Sequence, residues 1–148
     1  MTTRIVGLAI AISLGTVFTA CDKNSDTPTL RKKEYTLVPV GGSGVTGKVT
    51  VSENTDKTFN VLLSLDKSVK DTVHISHIHQ GSIASPGAVA IPLVNITGTG
   101  TSAQGLSSNI NTITYDSLLN YNGYINVHYS AFRIDSLIAQ VNIGKNNP

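Results

Sequence analysis

From about residue 34 onwards, apolar and polar residues alternate along most of the chain, and turn-forming residues separate the alternating segments. Side chains two apart share one face of a β-strand, so this alternation predicts strands with one buried face. The predicted strands cover residues 35–40, 45–51, 59–65, 71–79, 88–94, 124–129 and 137–143, with a weak strand within 97–109. The second and third strands are predicted to pair as an antiparallel hairpin.

Only residues 114–120 favour a helix, a single short turn for which Thr114 is the predicted N-cap. About seven or eight short strands with almost no helix indicate an all-β fold. We therefore expect an antiparallel β-sandwich or a Greek-key-like barrel.

The first 20 residues follow a different pattern. Arg4 precedes an uncharged apolar run over residues 5–18, which is shorter than the roughly 20 residues that a membrane-spanning helix needs. This pattern predicts a secretory signal peptide over residues 1–20. The sequence Phe18-Thr19-Ala20-Cys21 resembles the lipobox of bacterial lipoproteins, which implies cleavage before Cys21 and a diacylglycerol on its thiol. The alternative is an ordinary signal peptide with a cysteine near its cleavage site.

These features divide the chain into four predicted parts. Residues 1–20 are the signal peptide, 21–33 the lipidated Cys21 with a flexible tether, 34–144 the β-domain and 145–148 a short tail. The basic cluster Arg31-Lys32-Lys33 lies in the predicted tether, where it either contacts anionic lipid head groups or is solvated. We expect the protein to be held on a bacterial cell envelope by its lipid, on a membrane leaflet that the sequence leaves open.

Composition removes several classes of function. Cys21 is the only cysteine, which excludes an internal disulfide and a thiolate metal site in the β-domain. Charged residues make up 14% of the chain and the net charge is only +2, so nothing favours nucleic-acid binding. The sequence also contains no nucleophile elbow, paired-carboxylate motif or phosphate loop, which favours a binding protein over an enzyme.

The four histidines carry the most informative chemistry. His77 and His79 lie two apart on a predicted strand, so their imidazoles share one face and could together bind zinc or copper. If Ile125 and Val127 face the core, His128 faces the opposite side and could complete a three-histidine site across neighbouring strands. The alternative is that these imidazoles hydrogen-bond to backbone carbonyls and have a structural role.

The predicted strand over residues 71–79 contains a conflict in its alternation. Val73 and Ile75 have the same parity as His77 and His79, so either the apolar pair or the histidine pair must leave the core face. A β-bulge near Ser76 would place both pairs favourably, and we predict one there.

Two separated motifs resemble the CHRD domain, a family first named in chordin and widespread in bacterial secreted proteins. They are His77-Ile78-His79-Gln80-Gly81 and Tyr124-Ile125-Asn126-Val127-His128, followed by the closing strand Ala139-Gln140-Val141. The resemblance marks Gly81, Tyr124, Asn126 and Gln140 as family-motif residues and implies a compact β-sandwich. The chain departs from the family pattern at Tyr129-Ser130-Ala131-Phe132, which replaces a Gly-rich turn, and at Ile138-Ala139, which replaces Arg-Gly.

A weaker similarity is to copper–zinc superoxide dismutases, which carry a His-Val-His pair on a barrel strand. Their sites need further His ligands, an Asp for zinc and usually a disulfide. Three functions therefore stay open: a membrane-anchored, non-enzymatic module that binds a protein, glycan or metal; a histidine-based copper or zinc protein that resembles superoxide dismutase; and a structural envelope protein.

Overall fold

The computed structural model describes residues 30–148, which are mostly β-structure. The predicted signal peptide, Cys21 and the predicted tether as far as residue 29 lie outside the described residues. The ten strands are β1 (Lys32–Pro39), β2 (Gly47–Glu53), β3 (Phe59–Leu65), β4 (Val73–His74), β5 (Ser76–Ser82), β6 (Ser85–Pro92), β7 (Ile96–Thr97), β8 (Ala103–Ile110), β9 (Asn122–Ser130) and β10 (Arg133–Gly144). One helix, α1 (Tyr115–Leu119), lies between β8 and β9.

Eight of these strands form one antiparallel sheet in the order β6-β5-β9-β10-β1-β2-β3-β8, and β4 pairs with β7 in a separate small sheet. The large sheet curls into a half-barrel, so the predicted all-β sandwich or barrel class is confirmed. The predicted hairpin is confirmed as well, because β2 and β3 pair in antiparallel register throughout their length.

The core lies inside the curl of the sheet. The inward residues of β2 and β3 alternate with half-buried or exposed residues that are polar except for Leu62, as the sequence pattern predicts, and Phe59 is completely buried. Helix α1 closes one end by burying Tyr115 and Leu118 against this core. Thr114 caps the helix, because its side-chain oxygen accepts a hydrogen bond from the Ser117 N–H at 3.2 Å.

The described chain is fixed to the sheet from its first residues. Strand β1 begins at Lys32, two residues before the predicted start of the domain. The Arg31 guanidinium binds Glu53 and Asp116, each at 2.7 Å, and lies over the Tyr115 ring. Arg31 is therefore held against the end of the sheet that carries α1. Within residues 30–148, no helix is long and apolar enough to cross a membrane.

The predicted strand over residues 71–79 is two strands, interrupted at Ile75. Strand β4 pairs with β7, whereas β5 pairs with β9 in the large sheet, so the chain changes partner at this residue. The alternation of burial continues through the break: Val73 and Ile75 leave the core face while His74 turns inward. The predicted bulge near Ser76 is therefore wrong.

Strand β6 also differs from its prediction. It covers Ser85–Pro92 rather than residues 88–94, because it pairs with β5 immediately after a tight turn at Ser82–Ser85. It is an edge strand of the large sheet, and seven of its eight residues are exposed. Most of the apolar run over residues 88–94 that predicted this strand therefore lies at a sheet edge.

Candidate metal centre

Strand β5 presents two histidines on the face that points away from the core. Ser76 and Ile78 are buried on the core side, whereas His77 and His79 occupy the alternate positions and are half-buried. Their ring centroids are 5.8 Å apart. The two imidazoles are thus neighbours on one face, as their spacing predicts.

Strand β9 brings His128 to the same face. His77 lies opposite Asn126 in the antiparallel register, which places His128 beside Ile75. The backbone N–H of His128 donates to the Ile75 carbonyl at 2.9 Å. The ring centroids of His77 and His128 are 5.3 Å apart. His77, His79 and His128 each offer a ring nitrogen, and these three nitrogens lie within 4.8 Å of one another.

Backbone carbonyls orient two of the three imidazoles. His79 donates from Nδ1 to the Gly87 carbonyl at 3.1 Å, and His128 donates from Nδ1 to the Ile134 carbonyl. With the proton on Nδ1, the lone pair lies on Nε2 in both rings. Both Nε2 atoms are buried and have no hydrogen-bond partner. A metal-bound histidine commonly donates its other ring N–H to a backbone carbonyl in this way.

His77 contributes the third unpartnered nitrogen, its buried Nδ1. Burial lowers the pKa of His77, and the neighbouring imidazoles of His128 and His79 lower it further. Burial also lowers the pKa of His128; the Ile134 carbonyl opposes that shift and His79 adds to it. Neutral imidazoles are the form that binds metal, so the environment of these rings favours the ligating state.

The donor set suits a borderline transition metal. Nitrogens that bind one tetrahedral zinc ion at 2.0–2.1 Å lie about 3.3 Å apart, so the observed separations of up to 4.8 Å would have to close by at most about 1.5 Å. Imidazole nitrogens favour zinc, copper or nickel over magnesium or calcium, which prefer oxygen. The three histidines therefore fit such an ion in number, donor type and protonation.

The residues marked by the family motifs lie around this cluster. Tyr124 lies opposite His79 and stacks on its ring, with centroids 4.9 Å apart and planes at 21°. Asn126 lies opposite His77 on one side and Gln140 on the other. Tyr124 thus fixes one imidazole, Asn126 adjoins another, and Gln140 is one strand further from the histidines.

Two glycines allow the β5–β6 hairpin to support His79. A Cβ on Gly81, whose φ is +94°, would lie 2.3 Å from the Ser85 carbonyl oxygen, and a Cβ on Gly87 would lie 2.5 Å from the Gln80 carbonyl oxygen. Only glycine permits this close approach, which sets the Gly87 carbonyl against His79. The sequence analysis did not predict that the Gly87 and Ile134 carbonyls orient the histidine rings. The Pro86-Gly87 dipeptide, which indicates a turn, was the one sequence feature that pointed to Gly87, and none pointed to Ile134.

His74 does not belong to the cluster. It is completely buried, and its Nδ1 donates to the Tyr129 and His128 carbonyls at 2.8 and 3.2 Å. Its Nε2 accepts from the Val69 N–H at 3.1 Å. Both ring nitrogens are satisfied by backbone, so His74 has the structural role that was the alternative for all four histidines.

The match to a family model covers the whole histidine cluster. Residues 28–135 match the model of the CHRD domain. The chain belongs to the CHRD domain family. No curated protein matches the chain.

The CHRD match includes both His-containing motifs and ends before Gln140, so the closing strand with Ala139-Gln140-Val141 extends beyond it. Membership of the CHRD family favours an interaction module without enzymatic activity.

Proposed function

We propose that this CHRD domain is a non-enzymatic binding module that holds one copper or zinc ion at His77, His79 and His128. The observation that carries the proposal is the convergence of three imidazoles, each of which offers a ring nitrogen within 4.8 Å of the others. Each of these imidazoles also has one buried ring nitrogen without a hydrogen-bond partner.

The energetic argument concerns these unpartnered nitrogens. A buried polar group without a hydrogen bond costs about 1–3 kcal/mol, and this cost is repeated three times on one small face. Histidines with a purely structural role resemble His74, whose two nitrogens are both bonded. A metal ion would provide one common partner for all three lone pairs.

We further propose that the module is attached to a bacterial cell envelope through a lipid on Cys21. The signal-like residues 1–20 and the lipobox-like Phe18-Thr19-Ala20-Cys21 support this location. Arg31 is bound to Glu53 and Asp116, so the chain reaches the domain at the end of the sheet that carries α1. The metal centre on β5 and β9 would then be displayed by a short tether.

Metal analysis of the purified protein tests the binding proposal. The full chain, purified and then dialysed with zinc or copper, should retain a single ion per molecule by elemental analysis. At a free zinc concentration 100 times the dissociation constant, binding should raise the free energy of unfolding by about 2.7 kcal/mol. The double variant His77→Ala/His79→Ala should retain no ion and show no stabilisation.

The matched control is His74→Ala, which removes an imidazole from the same region of the chain. His74 bonds to the backbone carbonyl of His128 but to none of the three cluster imidazoles. It should still bind one ion per folded molecule. If the unaltered protein takes up neither zinc nor copper, or if the double variant binds as well as the unaltered protein, the proposed metal function is wrong.

Cell fractionation tests the anchor separately. Cys21→Ser should move the protein from the membrane fraction to the soluble fraction after processing, because the acceptor thiol for the lipid is gone. A Cys21→Ser protein that stays with membranes after signal cleavage would contradict lipid anchorage and leave the metal site unaffected.

A further inference from the structure

Asn126 lies beside the histidine cluster and, like each of the three histidines, has a buried side-chain atom without a hydrogen-bond partner. It occupies the β9 position directly opposite His77, two residues before His128, so all three side chains lie on the same face of the sheet. Asn126 is 8% exposed, and its Oδ1 is buried without a hydrogen-bond partner. A buried amide oxygen in the interior of a sheet normally accepts at least one hydrogen bond.

The distribution of such atoms across the described chain is uneven. In residues 30–148, five buried side-chain nitrogen or oxygen atoms lack a partner: Ser76 Oγ, His77 Nδ1, His79 Nε2, Asn126 Oδ1 and His128 Nε2. Four of the five lie on the outer face of β5 and β9, and only Ser76 lies on the core side. The unsatisfied face therefore presents three nitrogens and one oxygen, the number of donors in a complete tetrahedral shell.

We infer that Asn126 Oδ1 is the fourth ligand of the proposed metal ion, which gives a neutral N3O donor set from one face of two paired strands. This inference rests on the proposed metal function and narrows it. A site with four protein ligands has no position left for a water or substrate, and this is the property that separates structural metal sites from catalytic ones. With zinc bound, the centre would hold its ion without hydrolytic turnover. An N,O donor set of this kind suits Cu²⁺ as well as Zn²⁺.

Two substitutions at Asn126 test the role of its oxygen. Asn126→Ala removes the donor, whereas Asn126→Asp keeps an oxygen at the same position and adds a charge that a cation attracts. Ser76→Ala is the matched control, because it removes the one unpartnered buried atom that lies on the opposite face of β5. Zinc affinity is measured by competition with a chelator on the full chain. The Cu²⁺-loaded proteins are compared by water-proton relaxation, which increases when an exchangeable water binds the metal directly.

Asn126→Ala should bind zinc roughly 10- to 100-fold more weakly, and its copper form should relax water protons faster because water enters the vacated position. Asn126→Asp should bind zinc at least as tightly as the unaltered protein, and Ser76→Ala should match the unaltered protein in both measurements. If Asn126→Ala does not fold, Asn126→Asp still tests the inference, since a ligand oxygen predicts retained affinity and low relaxation.

Two results would overturn the fourth-ligand assignment while leaving the metal function intact. One is zinc affinity in Asn126→Ala equal to that of the unaltered protein. The other is water relaxation in the copper form of Asn126→Ala that is no faster than in the unaltered copper form, which would mean that removing Asn126 opens no position for water. Failure of the unaltered protein to bind zinc or copper at all would instead contradict the proposed function itself.

Discussion

The two halves of the large sheet differ in how the polar groups on their outward faces are hydrogen-bonded. In the half formed by β1, β2, β3 and β8, inward apolar residues of β2 and β3 alternate mainly with half-buried or exposed polar ones, and several polar groups bond to each other. Asn60 and Asn54, for example, exchange amide hydrogen bonds at 3.0 and 3.2 Å. In the half formed by β6, β5, β9 and β10, strand β9 is buried on both faces, yet Asn126 and His128 have unpartnered atoms.

This difference separates folding from function. The first half shows what the sheet needs in order to fold: one apolar face and a solvated, hydrogen-bonded one. The second half buries unpartnered polar atoms, each of which lowers the free energy of unfolding by about 1–3 kcal/mol. Folding stability alone does not explain why these atoms are buried. Such costs concentrate at sites where a sequence is selected for binding. The comparison can be tested by perturbing each half separately.

The largest expected effect is the loss of stability when a core side chain is removed from the half without histidines. Phe59→Ala removes a completely buried aromatic ring from β3 and should lower the free energy of unfolding by about 3–5 kcal/mol, because it leaves a cavity in the core. Urea unfolding monitored by circular dichroism measures this loss. The metal content per folded molecule should not change, since Phe59 lies far along the sheet order from β5 and β9. Loss of metal from a natively folded Phe59→Ala protein would show that the two halves are not separable.

A pair of histidine substitutions sharpens the comparison within one segment. His74→Leu should cost about 1–3 kcal/mol in the metal-free protein, because the Val69 N–H and the Tyr129 carbonyl lose their buried partner. His77→Leu should leave metal-free stability nearly unchanged, since it removes a nitrogen that has no partner. Chemical unfolding in the presence of a chelator compares the two variants. Equal losses would contradict the distinction between a structural and a ligating histidine.

The smallest expected effect is the pH dependence of the free energy of unfolding of the metal-free protein. Burial lowers the pKa of His77 and of His128 below the value of about 6.5 expected in the unfolded chain. The unfolded chain therefore binds more protons below that pH, so the free energy of unfolding should fall as pH decreases from about 7.5 to about 5.5. Asp135 lies close enough to His128 to oppose part of its shift.

Unfolding curves across this pH range, recorded with a chelator, measure that slope. His77→Leu should show a shallower slope than the unaltered protein. A slope that is identical in both would mean that His77 does not titrate differently in the folded and unfolded states.

Much of the fold follows from local patterns that the sequence displays directly. Alternation predicted the bounds of β3, the bounds of β2 to within two residues, and the pairing of the two strands. Thr114 predicted the start of α1. Both signals depend on residues close together in the chain. The spacing of His77 and His79 likewise placed two imidazoles on one face. These are properties of strand geometry that hold wherever the strand lies.

Predictions that depended on a strand's neighbours were less successful. The break at Ile75 arises because β4 and β5 pair with different strands, and the exposure of β6 arises because it lies at a sheet edge. Neither pairing partner is visible in the local sequence. The bulge expected near Ser76 was an attempt to resolve locally a conflict that the change of sheet resolves instead.

The sequence by itself determined that this protein is an all-β domain with paired histidines on one strand, because side-chain alternation is a property of each strand alone. Only the tertiary structure decided which histidines belong together. The β5–β9 register brings His128 to His77 and leaves His74 inside, bonded to backbone. The tertiary structure also decided which carbonyls orient the imidazole rings. The Gly87 and Ile134 carbonyls reach these rings through hairpins whose closure depends on long-range packing. Register and hairpin closure are set by the summed contacts of the whole sheet, and no single segment encodes them.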